Sequence, residues 1–169
     1  MARYYTVDRQ SALSEGVVIG LVRYDDVQPP ELQAHLDELF PDGVTMHGEK
    51  YFVSANSTAS VTSPAIELIW DNARRAHFID APSRMQSIFA TASLADAQQF
   101  RDAHGPASPI FEVDATEAFR ADMNLLHNHT SALATSYLAQ LYWSQKPGSP
   151  NPFWEYLLRP PVRVGMRVL

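Results

Sequence analysis

Strand-like segments stand at both ends of this chain and helix-like segments fill its middle, so the two kinds of element do not alternate. A parallel sheet needs a crossover helix between successive strands. The order here therefore predicts a mostly antiparallel α+β domain over residues 1–169 rather than a doubly wound one. Residues 2–7 (ARYYTV), 17–24 (VVIGLVRY), 50–54, 85–91 (MQSIFAT), 109–113 (PIFEV), 153–158 (FWEYLL) and 162–169 (VRVGMRVL) read as strands by their β-branched, aromatic or continuous apolar runs. The rest of the weakly patterned stretch 44–57 carries no clear signal.

Helix signals lie between them. Pro29-Pro30 opens a segment with Leu32, Leu36, Leu39 and Phe40 at helical spacing, closed by Pro41-Asp42-Gly43. Ser63 and Pro64 suit the start of a second helix, with Ala65, Ile66, Ile69, Ala73 and Ala76 on one face. Ser93 and Asp96 form a capping-box pattern ahead of a helix over 94–103. A fourth helical stretch is expected over 116–144, interrupted near His127-Asn128-His129. The run KPGSPNP (146–152) is a loop.

Composition narrows the chemistry. Hydrophobic residues at 46% and charged residues at 19% exclude a disordered chain. No stretch has the roughly 20 apolar residues of a membrane-spanning helix. The sequence MARYYTVDRQ lacks a basic segment followed by an apolar run, so a cytoplasmic location is expected, with signal-independent export left open. The absence of cysteine removes disulfides, thiolate metal sites and a cysteine nucleophile together. A net charge of −6 argues against generic nucleic-acid binding. Arg159, Arg163 and Arg167 read as a solvated strand edge.

Few motifs carry chemistry. There is no phosphate-binding glycine loop and no nucleophile elbow. The histidines lack ligand-like spacing, and His127 and His129 suit a polar break between helices better than a metal site. Glu155 stands out, because it interrupts the apolar strand Phe153-Trp154-Glu155-Tyr156-Leu157-Leu158. Such a carboxylate either guards an edge from aggregation or faces a cleft. Aromatic neighbours suit a cleft for a flat cationic ring.

Three separated pieces extend that thought. Tyr4-Tyr5-Thr6-Val7 precedes Leu13-Ser14-Glu15-Gly16. Ser87-Ile88-Phe89-Ala90 leads to Ser93-Leu94-Ala95-Asp96-Ala97. Trp154-Glu155-Tyr156 precedes a Pro-Pro turn and a Val-rich strand. In order and spacing the three together resemble the ADP-ribosyltransferase superfamily, in the broad sense that includes diphtheria-toxin-like and poly(ADP-ribose) polymerase-like domains. Pro82-Ser83-Arg84, Asp122-Met123 and Tyr142-Trp143 resemble the markings of a bacterial branch of that type.

The resemblance implies a split antiparallel sheet and NAD as substrate. It makes Glu155 the catalytic carboxylate, with Tyr5 as its partner. It places Thr6, Arg3, Arg84, Phe89 and Ser93 around NAD, Arg84 at the pyrophosphate and Ser93 beside nicotinamide unless it serves only as a cap. The sequence departs from the family at two points. The first-strand His is replaced by Tyr5 or Thr6, depending on register, and the stacking Tyr of the middle strand by Ile88, with Phe89 adjacent. Catalytic transfer of ADP-ribose (or NAD glycohydrolysis) and a non-catalytic binding module of the same fold are therefore both carried forward. An unrelated serine hydrolase has no motif to support it.

Overall fold

The computed structural model describes residues 1–54 and 62–169. Strands β1 (Ala2–Val7), β4 (Ile110–Ala115), β7 (Val162–Arg167) and β2 (Val18–Ile19) form one sheet in the order β1-β4-β7-β2. Strands β3 (Ile88–Ala90), β6 (Trp154–Leu158) and β5 (Ala118–Asp122) form a second in the order β3-β6-β5. Every pairing is antiparallel. A backbone bridge joins the two sheets, where Tyr5 and Thr91 exchange hydrogen bonds of 2.9 and 2.8 Å. Beside that bridge the Thr6 hydroxyl donates to the Phe89 carbonyl at 2.7 Å.

Among the described residues five α-helices accompany the sheets: α1 (Pro30–Leu39), α2 (Met46–Gly48), α3 (Thr62–His77), α4 (Leu94–His104) and α5 (Ala132–Trp143). The α+β class and its antiparallel pairing are as the element order predicted. The termini of the helices follow local chemistry. Pro30 opens α1, and the Ser93 hydroxyl accepts from the Asp96 amide while donating to its carboxylate at 2.6 Å. Ser131 caps α5 in the same way through the Ala134 amide.

Three apolar clusters hold these layers. One lies between the sheets' inner faces around Phe111, Val113, Leu158 and Val162. A second packs α3 and α5 on the three-stranded sheet through Trp70, Tyr142, Trp143 and Leu157. The third joins α1 to the segment before β3 through Leu36, Phe40, Val44 and Met85. No helix among the described residues is long and apolar enough to cross a membrane.

Three segments differ from the sequence reading. The expected long helix over 116–144 begins instead with β5, which pairs with β6 residue by residue from Ala118↔Leu158 to Asp122↔Trp154. Its Ala and Arg residues favour helix locally, and the ladder overrides that weak preference. Residues 50–54 are not a strand. Glu49–Val53 form a π-helical turn continuing α2, which lets Phe52 meet Phe40 edge-on with ring centroids 5.2 Å apart. Residues 55–57 of that stretch lie outside the described residues. The expected strand over 17–24 is reduced to Val18–Ile19 plus a single bridge between Val22 and Val44.

Candidate active site

Glu155 resolves the ambiguity its sequence left open. Burial alternates from Trp154 to Leu157 along β6, and Glu155 lies on the same side as Leu157, toward α3 and α5. Cross-strand partners share a face, so Phe89, opposite Leu157, belongs to that side too. Glu155 is 6% exposed, which excludes a solvent-facing edge charge.

A buried carboxylate needs partners, and the chain supplies two, Arg84 and Tyr142. Arg84, 3% exposed, donates from Nη1 to Glu155 Oε1 at 2.6 Å. Its Nε and Nη2 grip Glu67 of α3 in a two-point contact at 2.8 and 3.0 Å. Tyr142 of α5 is fully buried, contacts Arg84 Nη1 through its hydroxyl, and donates to Glu155 Oε1 at 2.6 Å. The guanidinium lies over the Phe89 ring at 4.5 Å and the Tyr142 ring at 5.4 Å. Glu155 Oε2 has no hydrogen bond among the described residues.

The turn that delivers Arg84 is itself pinned. Asp71 of α3 accepts from Ser83 at 3.0 Å, from Arg74 at 2.9 Å and from Arg75 at 2.6 Å. Ser83 in turn caps a short 3-10 turn over Arg84–Gln86. The guanidinium is thus held by backbone fixed on both sides rather than by a flexible loop.

Electrostatics follow from this packing. Burial alone would raise the Glu67 carboxyl, but Arg84 and His47 hold it well below the usual carboxylate range. Burial works against the charge on Arg84, yet Glu155 and Glu67 keep it firmly protonated. The Tyr142 phenol is pushed well above its ordinary value by burial, with Glu155 adding to the effect against Arg84. Tyr142 therefore serves as a neutral donor to Glu155 beside a charged guanidinium.

This cluster forms one wall of a cavity of about 420 Å³ between the two sheets. Its size falls within the roughly 300–1,000 Å³ of small-molecule sites. Tyr5, Thr6, Arg84, Phe89 and Glu155 line it, together with His47 and Tyr51. The Thr6 hydroxyl, however, is turned to the Phe89 carbonyl and ties the sheets together.

Two residues that the resemblance put around NAD do not line the cavity. Arg3 is exposed on β1 and pairs with Glu112 at 3.2 Å and Asp114 at 3.9 Å on the neighbouring strand β4. Ser93 is spent on the α4 cap. Arg84 lies inside the cavity wall, but two carboxylates already occupy its donors, so it is not free for a pyrophosphate.

Glu67, Tyr142 and His47 are members of the site that sequence reasoning missed. For Glu67 a signal existed. The buried face of α3 is Glu67, Trp70, Asp71 and Arg74, at i, i+3, i+4 and i+7, whereas the expected apolar face leaves Ile69 and Ala76 exposed. His47 sits on α2, and its ring meets Phe89 at 4.5 Å and Tyr51 at 4.7 Å between centroids. Among the described residues no three His, Asp or Glu side chains gather to hold a metal ion. His127 and His129 lie in the loop before α5, bonded to Asn124 and Thr130.

No curated protein matches the chain. Residues 6–168 match a family model, and the chain belongs to that family, described as a protein of unknown function (DUF2441).

Proposed function

We propose that the cavity between the sheets takes NAD and that the domain transfers its ADP-ribosyl group, to an acceptor or to water. The observation that carries this is convergence. Tyr5, Phe89 and Glu155 come from three segments far apart in sequence and line one cavity. An ADP-ribosyltransferase-like arrangement needs those three segments together, and a split antiparallel sheet is the scaffold expected for it.

In this proposal Glu155 accepts a hydrogen bond from the ribose 2′-hydroxyl through Oε2, the oxygen left without a partner. Its charge offsets the positive charge that develops at the ribose carbon as nicotinamide leaves. Arg84 and Tyr142 hold Oε1, so the carboxylate is oriented before substrate arrives. Glu67 offsets the Arg84 charge, which would otherwise oppose a cationic transition state. Tyr5 stands in the place of the family's first-strand His and offers a phenol for the ribose.

A second reading has its own support. Glu155 is nearly inaccessible and paired with a guanidinium, which suits a non-catalytic module that binds a ligand without consuming it. Calorimetry with NAD on the wild type and on Glu155→Gln, with nicotinamide release followed in the same samples, separates the two. Transfer requires binding and release in the wild type, with release lower by roughly 10²–10³ in the variant. Binding without release supports the binding module. Absence of binding at millimolar NAD overturns the transfer reading and leaves a binding module only for some other ligand.

A further inference from the structure

His47 lines the cavity beside the Glu67–Arg84–Glu155 cluster, while His104, also in the lining, packs against Phe100. Its Nε2 lies 2.9 Å from Glu67 Oε1, with side-chain exposures of 16% and 9%. That carboxylate is the one group paired with the buried Nε2 among the described residues. Nδ1 has no hydrogen bond among the described residues. The ring is held between Phe89 and Tyr51.

The backbone beneath it is fixed closely. The Thr45 hydroxyl donates to the Met85 and Ser87 carbonyls at 3.1 Å each. A Cβ placed on Gly48 would come within 2.4 Å of the Met85 carbonyl oxygen, so α2 is pressed against the very turn that carries Arg84. The charged and titratable groups facing the imidazole are Glu67, through it Arg84 and Glu155, and the neighbouring Tyr51, whose ring lies 5.2 Å from Lys50 Nζ.

We propose that His47, oriented by Glu67, is the proton acceptor for a water molecule in this cavity, so that the reaction is hydrolysis of NAD rather than modification of a macromolecule. This rests on the NAD reading above. Glu67 accepts from the Nε2–H, which leaves the Nδ1 lone pair as base. The water oxygen bonds to the ribose carbon as its proton passes to Nδ1. The carbon–nitrogen bond to nicotinamide breaks, and its electron pair goes to the ring nitrogen, so nicotinamide leaves neutral. His47 then releases the proton to solvent, and the products are ADP-ribose, nicotinamide and a proton. The near-complete burial of Glu155 and Glu67 favours an acceptor as small as water over a bulky side chain.

The test measures NAD affinity by calorimetry and nicotinamide and ADP-ribose formation for wild type, His47→Ala and Glu67→Gln, with and without added imidazole. Circular dichroism checks that each variant is folded. The expected result is free ADP-ribose from the wild type without any added acceptor. His47→Ala should lose roughly 10²–10⁴ in kcat with NAD affinity retained, and recover partly with imidazole. Glu67→Gln should lose less. A His47→Ala variant that keeps its kcat, or loses affinity and turnover together without rescue, overturns the role of His47 while leaving NAD consumption standing. Wild-type protein that binds NAD but yields no ADP-ribose in water overturns the hydrolytic assignment. A wild type that does not bind NAD overturns this inference and the NAD reading together.

Discussion

Replacing Arg84 with methionine is expected to destabilise the domain by about 3–5 kcal/mol, the cost of leaving buried carboxylates without their cation. Arg84 makes contacts of 2.6, 2.8 and 3.0 Å to two carboxylates that are 6% and 7% exposed. Methionine preserves most of the packing against Phe89 and Tyr142 but none of the donors. In a chain of 169 residues such a loss corresponds to a fall in Tm of roughly 6–20 °C. Differential scanning calorimetry at neutral pH measures it. The same substitution made together with Glu67→Gln and Glu155→Gln should recover more than half of the loss, because the uncompensated charges are then gone. A single variant within about 1 kcal/mol of wild type, or a triple variant no better than the single, would refute the view that Arg84 is the counter-charge of this cavity wall.

Acid should weaken the fold through Glu67. Its folded pKa lies below the ordinary 4.5, so its contribution is complete above that value and is lost as pH falls toward the folded one. Urea unfolding from about pH 5 downward should therefore show a decline in stability that is shallower in Glu67→Gln, and identical slopes would contradict the assignment. Thr6→Val should cost about 0.5–1.5 kcal/mol by removing the hydroxyl that joins the sheets. It should leave NAD affinity unchanged by calorimetry, because that hydroxyl faces the Phe89 carbonyl, and a large loss of affinity would restore Thr6 to the binding surface.

The elements most legible in the sequence were those whose own pattern carries a physical instruction. Pro30 opening α1, Ser93 with Asp96 opening α4, and the β-branched runs of β1, β4 and β7 fold as their local chemistry directs. Where several states were compatible with the same residues, local pattern failed. The residues of β5 favour a helix until β6 offers a ladder, and the aromatic residues of 50–54 read as a strand until α1 offers Phe40 to pack against. Of the site, Tyr5, Phe89 and Glu155 could be named in advance, because each stands in a short segment with a distinctive pattern. Arg3 and Ser93 could be named too, but their side chains are used locally, by Glu112 and Asp96.

The sequence by itself determined the α+β class and the antiparallel pairing, which follow from the order of elements along the chain, and the oddity of a carboxylate inside an apolar strand, which its immediate neighbours show. Only the tertiary structure decided that Glu155 faces inward and that Arg84 is its counter-ion rather than a free anion-binding group. It alone gathered Glu67, Tyr142 and His47 around them. Those contacts join residues 13 to 71 positions from their partners around Arg84 and Glu155. A burial cost set by desolvation can be met by whichever opposite charge the fold brings near, and nothing in local spacing says which one that is.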